Sequence, residues 1–221
     1  MITTAVSRLT SGTSKSGLAI MVLTILYIIG IVGIYKNIHP DFILLTPLNL
    51  LISLLIVLAF HSKKQDKKLR IFLVISYFAG FSAELYGVQT GQLFGEYAYG
   101  RVLGLKLWDT PLMIGVNWML LSYSIGVTTN HLFSKWHWLF KGIIASLFMV
   151  GLDILIEPVA IRYDFWSWAQ GTPPLQNYIG WFFVSLPLLS LFAKMQGEIR
   201  NKVAIALFVL QILFFFTLNL V

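Results

Sequence analysis

Long apolar runs fill most of the chain, and short polar segments interrupt them at fairly regular intervals. Seven runs approach the roughly 20 mostly apolar residues that a membrane-spanning helix needs. They are Gly17–Tyr35, Phe42–Phe60, Leu69–Val88, Leu107–Thr128, Leu139–Val159, Tyr178–Ala193 and Val203–Leu220. The pattern predicts an all-α polytopic membrane bundle of about seven transmembrane helices, in one domain over 1–221 with no internal repeat. The sixth run is the shortest and contains Pro187, so six full spans and one partial span is the competing reading. The first run is too long for the apolar core of a cleaved secretion signal, and no small-residue cleavage site follows it.

Two connections break the alternation. Residues 87–106 carry five glycines among aromatics, and residues 160–177 hold Trp166, Trp168, Pro173 and Pro174. Both are too apolar for solvated loops and too rich in Gly or Pro for helices. They are expected to fold back over one mouth of the bundle as an aromatic lid. An interfacial Trp/Tyr belt is the plainer reading of the same residues.

Composition supports the membrane reading. Only 11% of residues are charged and 57% are apolar, whereas a soluble domain carries about 25% charged residues. The net charge of +7 is therefore read against a membrane, and no nucleic-acid partner is inferred from it. The chain has no cysteine, which excludes disulfides, thiolate metal sites and a cysteine nucleophile.

Short loops rich in Lys and Arg mark the cytoplasmic side. With seven spans, Arg8, Lys15, Lys63, Lys64, Lys67, Lys68, Arg70, Lys135, Lys141, Lys194, Arg200 and Lys202 share the side of the N-terminus, against Lys36, Arg101, Lys106 and Arg162 opposite. The N-terminus is therefore predicted to be cytoplasmic and the two lid connections outer. Asp66 and Glu198 accompany the cytoplasmic bases. Asp41, Glu84, Glu96, Asp109, Asp153, Glu157 and Asp164 gather on the other side.

Acids inside a span cost a few kcal/mol on insertion scales, so they are usually paired and functional. Glu84 falls late in the third run, Asp109 at the start of the fourth, and Asp153 and Glu157 late in the fifth. Asp153 and Glu157 stand at i and i+4, on one helix face. Two carboxylates that close do not both ionise cheaply in a low dielectric, so the pair is expected to share a proton. A protonated acid beside an ionised one suits general acid–base catalysis. Glu96 in the lid and Asp109 are further candidates. Asn117, Asn177 and Trp181 add polar or aromatic groups at compatible depth. The competing reading pairs these acids with Arg101, Lys106 or Arg162 as struts of the bundle.

Other chemistries fit less well. The histidines His39, His61, His131 and His137 lie at span ends or in loops without metal-ligand spacing, so no metal is expected. The last span lacks the lysine of a retinal Schiff base. The one intramembrane acidic pair matches neither a second aspartate motif of the aspartyl intramembrane proteases nor the two Asp-rich motifs of membrane prenyltransferases. What fits is carboxylate-driven proton chemistry on a long apolar molecule with a reactive double bond.

The ordered motifs extend this reading. Glu84-Leu85-Tyr86-Gly87-Val88-Gln89-Thr90-Gly91 is followed by Phe94-Gly95-Glu96-Tyr97-Ala98-Tyr99, Leu103-Gly104 and Pro111. Then come Asn117-Trp118, Asp153, Glu157-Pro158-Val159-Ala160, Trp166-Ser167-Trp168 and Asn177-Tyr178-Ile179-Gly180-Trp181-Phe182. The set resembles the carotenoid biosynthesis family that includes the acyclic carotenoid hydratases, over about half the chain.

The resemblance implies addition of water across the terminal (1′,2′) double bond of a ψ-end group, without cofactor or metal. The implied substrates are carotenoids such as γ-carotene, lycopene or bisanhydrobacterioruberin. Implied surroundings are membrane lipid and water, with other enzymes of carotenoid synthesis as candidate partners, in a bacterial or archaeal cytoplasmic membrane. From the residues, Asp153, Glu157 and Glu84 are the first candidates for the acid–base set. Trp118, Tyr97, Tyr99, Trp166, Trp168 and Trp181 are candidate aromatic faces for a tertiary carbocation. The outer position of the acids predicts an active site towards the non-cytoplasmic side. An end-group cyclase, which begins with the same protonation, and a non-catalytic carotenoid or lipid carrier are the alternatives.

Overall fold

A computed structural model describes residues 14–62, 66–197 and 199–221. It holds helices α1 (Lys15–Tyr35), α2 (Thr46–Ala59), α3 (Lys67–Thr90), α4 (Leu112–Leu132), α5 (Trp138–Arg162), α6 (Leu175–Gln196) and α7 (Lys202–Leu220). A 3-10 turn, Phe42–Leu45, leads into α2, and Pro47 in the first turn of α2 sits where no helical N–H bond is lost. Counting Phe42–Ala59 as one, seven segments among the described residues are long and apolar enough to cross a membrane. The protein is thus an all-α integral membrane bundle. Of the charges that orient the chain, Arg8, Lys63, Lys64 and Glu198 lie outside the described residues.

Helix α4 is the centre of the bundle, packed against α2, α3, α5, α6 and α7. Its hydropathy is the lowest of the seven spans and its burial the highest. In lipid this follows physically, because Ser122, Ser124, Thr128, Thr129 and Asn130 belong against other helices, away from hydrocarbon. Helix α1 is the reverse: Ile25, Ile28 and Ile29 are exposed, as lipid permits. Polar caps fix the helix starts at the end away from the lid. Asn201 Oδ1 accepts the N–H groups of Val203 and Ala204, and Asp66 accepts those of Lys68 and Leu69. Burial opposes ionisation of Asp66, but the Leu69 N–H, the His61 ring and the Lys68 N–H hold its carboxyl below the usual range.

The two Gly/Pro-rich connections meet. Strand β1 (Tyr97–Tyr99) pairs antiparallel with β4 (Trp166–Trp168), setting Tyr97 opposite Trp168 and Tyr99 opposite Trp166. A separate, local hairpin pairs β2 (Lys106–Leu107) with β3 (Thr110–Pro111). The lid is therefore built on a small sheet joining segments distant in sequence. Gly91 ends α3 in the left-handed conformation at φ 67°, which turns the chain back over the bundle.

The fold corrects one boundary and supports seven spans over the partial-span alternative. The fourth helix begins at Leu112, five residues later than the apolar run implies, because Trp108 and Asp109 adopt positive φ (47° and 61°) in the hairpin turn. The sixth span is full length. Helix α6 starts at Leu175 and runs 22 residues, with Pro187 accommodated inside it.

Candidate functional site

Three acids converge beneath the lid, from α3 and α5. Glu84 is 2% exposed, Glu157 2% and Asp153 0%, so each depends on protein partners in place of water. Those partners are neutral. Glu84 Oε2 accepts the hydroxyls of Tyr97 and Tyr99, both at 2.7 Å, and Oε1 accepts Trp118 Nε1 at 3.0 Å. Glu157 Oε2 accepts the indole N–H groups of Trp166 and Trp168 at 3.1 and 2.8 Å. The Asn177 amide donates to both members of the α5 pair, 2.8 Å to Asp153 Oδ2 and 3.2 Å to Glu157 Oε1. Asp153 Oδ1 is buried without a partner.

The sheet explains this geometry. Alternate residues of a strand point to the same face, so Tyr97 and Tyr99 reach Glu84 while Trp166 and Trp168 reach Glu157; Ala98 and Ser167 are exposed between them. Burial and then the Glu84 carboxylate push both phenols well above their ordinary range, keeping them neutral donors. Trp118 is aimed by close packing: a Cβ at Gly80 would lie 2.2 Å from its Cγ. Its ring stacks on Trp181 at 4.8 Å between centroids.

The basic residues are engaged elsewhere. Arg101 pairs with Asp41 at 3.3 Å on the exposed surface, Lys106 donates to the Tyr99 carbonyl and Arg162 to the Leu218 carbonyl. The three acids are thus held by phenol, indole and amide groups. Among the described residues no cluster of His, Asp and Glu has the arrangement of a metal site.

Glu84, Glu157, Tyr97, Tyr99, Asn117, Trp166, Trp168, Asn177 and Trp181 line one cavity of about 20 Å³, room for about one water molecule. Ile114 and Ile156 complete its wall, and Asp153 stands behind Glu157. Glu96 and Asp109 are not in the cluster. Glu96 is exposed at the rim of a separate outer cleft, and Asp109 lies in the exposed β2–β3 turn.

A second cavity of about 80 Å³ adjoins the first, sharing Ile114, Asn117, Ile156 and Trp166 with it. Its other walls include Tyr27, Asn49, Leu103, Leu121, Gln211 and Phe215. No motif or run in the sequence marks this space; its one trace there is that Tyr27, Asn49 and Gln211 are polar residues inside apolar spans.

A family model described as "Carotenoid biosynthesis protein" matches residues 45–221, which includes all three acids. Bisanhydrobacterioruberin hydratase of Haloarcula japonica is 28% identical over 143 residues, covering 58% of this chain and 45% of the relative. The chain therefore spans about half the length of that curated relative. No solved structure matches.

Proposed function

The chain belongs to the carotenoid biosynthesis protein family, and from that premise we propose that it is a carotenoid 1′,2′-hydratase acting on a ψ-end group. One observation carries the reading. Two carboxyl groups, Glu84 and Glu157, face a space with room for about one water, and that space adjoins a cavity with largely apolar walls, sharing Ile114, Asn117, Ile156 and Trp166 with it. A hydratase needs both compartments, the first for water and the acid–base groups and the second for the gem-dimethyl alkene. The H. japonica relative, named as a hydratase, supports the same reaction class.

The roles follow from the hydrogen bonds. Glu84 and Glu157 each accept three donors, but two of those on Glu84 are phenols at the short distance expected for O–H donation to a carboxylate, whereas those on Glu157 are all N–H groups. Glu84 is the base. The Asp153–Glu157 pair holds one proton between its two carboxyls while the Asn177 amide donates to both, and Glu157, the member lining the cavity, delivers it. Proton transfer from Glu157 to the alkene CH leaves a tertiary carbocation beside Trp181. A water polarised by Glu84 adds to that carbon and gives its proton to Glu84, completing the tertiary alcohol. Exchange with water then returns the proton to the α5 pair. No redox step occurs and the atoms balance without a cofactor.

The aromatic residues divide. Tyr97, Tyr99, Trp118, Trp166 and Trp168 use their polar edges on the carboxylates, which leaves the face of Trp181 as the candidate to stabilise the cation.

The reading is tested by expression in a host that accumulates lycopene or γ-carotene, with pigments analysed by mass. The expected product is heavier by one water. An unchanged mass with an altered spectrum indicates cyclisation, and unaltered pigment with every ψ-ended substrate removes the enzymatic reading. We further place the site on the non-cytoplasmic side, as the basic loops imply. A reporter fused after Val221 is expected to be active only outside the cytoplasm; cytoplasmic activity inverts the orientation.

A further inference from the structure

Beyond the reaction centre, the cavities continue towards lipid. The 80 Å³ cavity next to the carboxylates shares Thr46, Asn49, Phe165 and Phe214 with a third, of about 180 Å³, lying between α1 and α2. That third cavity is walled by lipid-exposed side chains, among them Ile29, Leu45 and Leu48, which are 52%, 52% and 55% exposed. Three spaces linked by shared walls thus run from the membrane-facing surface of α1 and α2 to Glu84 and Glu157. The outer and middle walls are mainly aliphatic and aromatic, and the polar lining concentrates at the carboxylates.

Building on the hydratase reading, we propose that these linked cavities are a lateral passage. A linear polyene enters it from the bilayer between α1 and α2, ψ-end first, and its chain stays in the passage during reaction. The physical need is plain. A carotenoid is dissolved in hydrocarbon, while the lid closes the aqueous mouth of the bundle with a paired sheet over the acids. A route through the lid would carry a long apolar chain across water and would break the hydrogen bonds that hold Glu84 and Glu157. The side route costs neither. Helix α1, which lines the outer cavity, lies at the periphery with 17% of its span buried, whereas α4 is enclosed at the centre. The outer and middle cavities meet at Thr46 and Asn49 of α2, at Phe165, and at Phe214 of α7, which line both.

The cysteine-free chain makes a single introduced thiol a clean reporter. Thr46→Cys places it where the outer and middle cavities meet, and Leu55→Cys, on the same helix but 66% exposed and away from the cavities, is the control. Both are labelled in membranes with an apolar maleimide, with and without lycopene, while product formation is followed in the unmodified protein. The passage predicts that lycopene slows labelling at Thr46→Cys at least tenfold and leaves Leu55→Cys unchanged. Turnover without protection at Thr46→Cys overturns the passage and leaves the hydratase reading intact. Neither turnover nor protection, with γ-carotene as well as lycopene, overturns the hydratase reading and the passage with it.

Discussion

Glu84→Gln is expected to lower turnover of a ψ-ended carotenoid by about 10²–10⁴-fold, the range for losing a positioned acid–base group, while the protein still inserts and retains pigment. The substitution keeps the size of the side chain but not its pattern of acceptors. Two phenol hydroxyls converge on Oε2 and an indole N–H on Oε1. An amide that keeps its carbonyl on the Trp118 indole must turn its N–H₂ to the two phenol oxygens, which then accept where they had donated. The reverse orientation sets an N–H₂ against the indole N–H, a buried clash of donors that costs about 1–3 kcal/mol. The same site therefore loses its base and part of its support. Tyr97→Phe removes one donor of the three and is expected to cost far less, about tenfold, since Tyr99 and Trp118 still hold the carboxylate. Product formation measured by chromatography and mass, normalised to inserted protein, checks both. Wild-type turnover by Glu84→Gln removes the base assignment.

The second large effect belongs to the α5 pair, and its two members are expected to differ. Glu157→Gln removes the proton at the cavity wall and should reduce turnover by about 10²–10⁴-fold. Asp153→Asn should have a smaller effect, because Asp153 is fully buried behind Glu157 and reaches it through Asn177. On the proposed mechanism Asp153 positions Glu157 and the proton that the pair holds. Turnover rates of the two purified variants decide the matter. Equal losses would put Asp153 at the reacting atoms and remove its positioning role.

Much of this was legible in the sequence. The spans followed from apolar run length, and the i, i+4 spacing put Asp153 and Glu157 on one face, as the Asn177 bridge to both confirms. The lid also followed from glycines and prolines set among aromatics. What local patterns concealed was the pairing of β1 with β4, which joins segments on opposite sides of two helices. That pairing turns the edges of Tyr97, Tyr99, Trp166 and Trp168 towards the acids, where composition suggested their faces. Asp109 was misleading for a local reason. Leu107 and Trp108 extend the apolar run, but positive φ at Trp108 and Asp109 bends it into a hairpin. Glu96 shares a lid segment with Tyr97, yet strand alternation sends it outward. The sixth span is longer than its apolar core because Leu175, Gln176 and Asn177 form its first turn.

On the proposed mechanism a proton and a water from solvent add across the terminal double bond inside this carboxylate cage. Incubating the purified protein with lycopene in H₂¹⁸O tests it most directly, with product oxygen read by mass spectrometry. The expected product carries one ¹⁸O, located at the tertiary carbon of the former ψ-end. A product without the heavy oxygen, or an isomer of unchanged mass, would contradict hydration at this site.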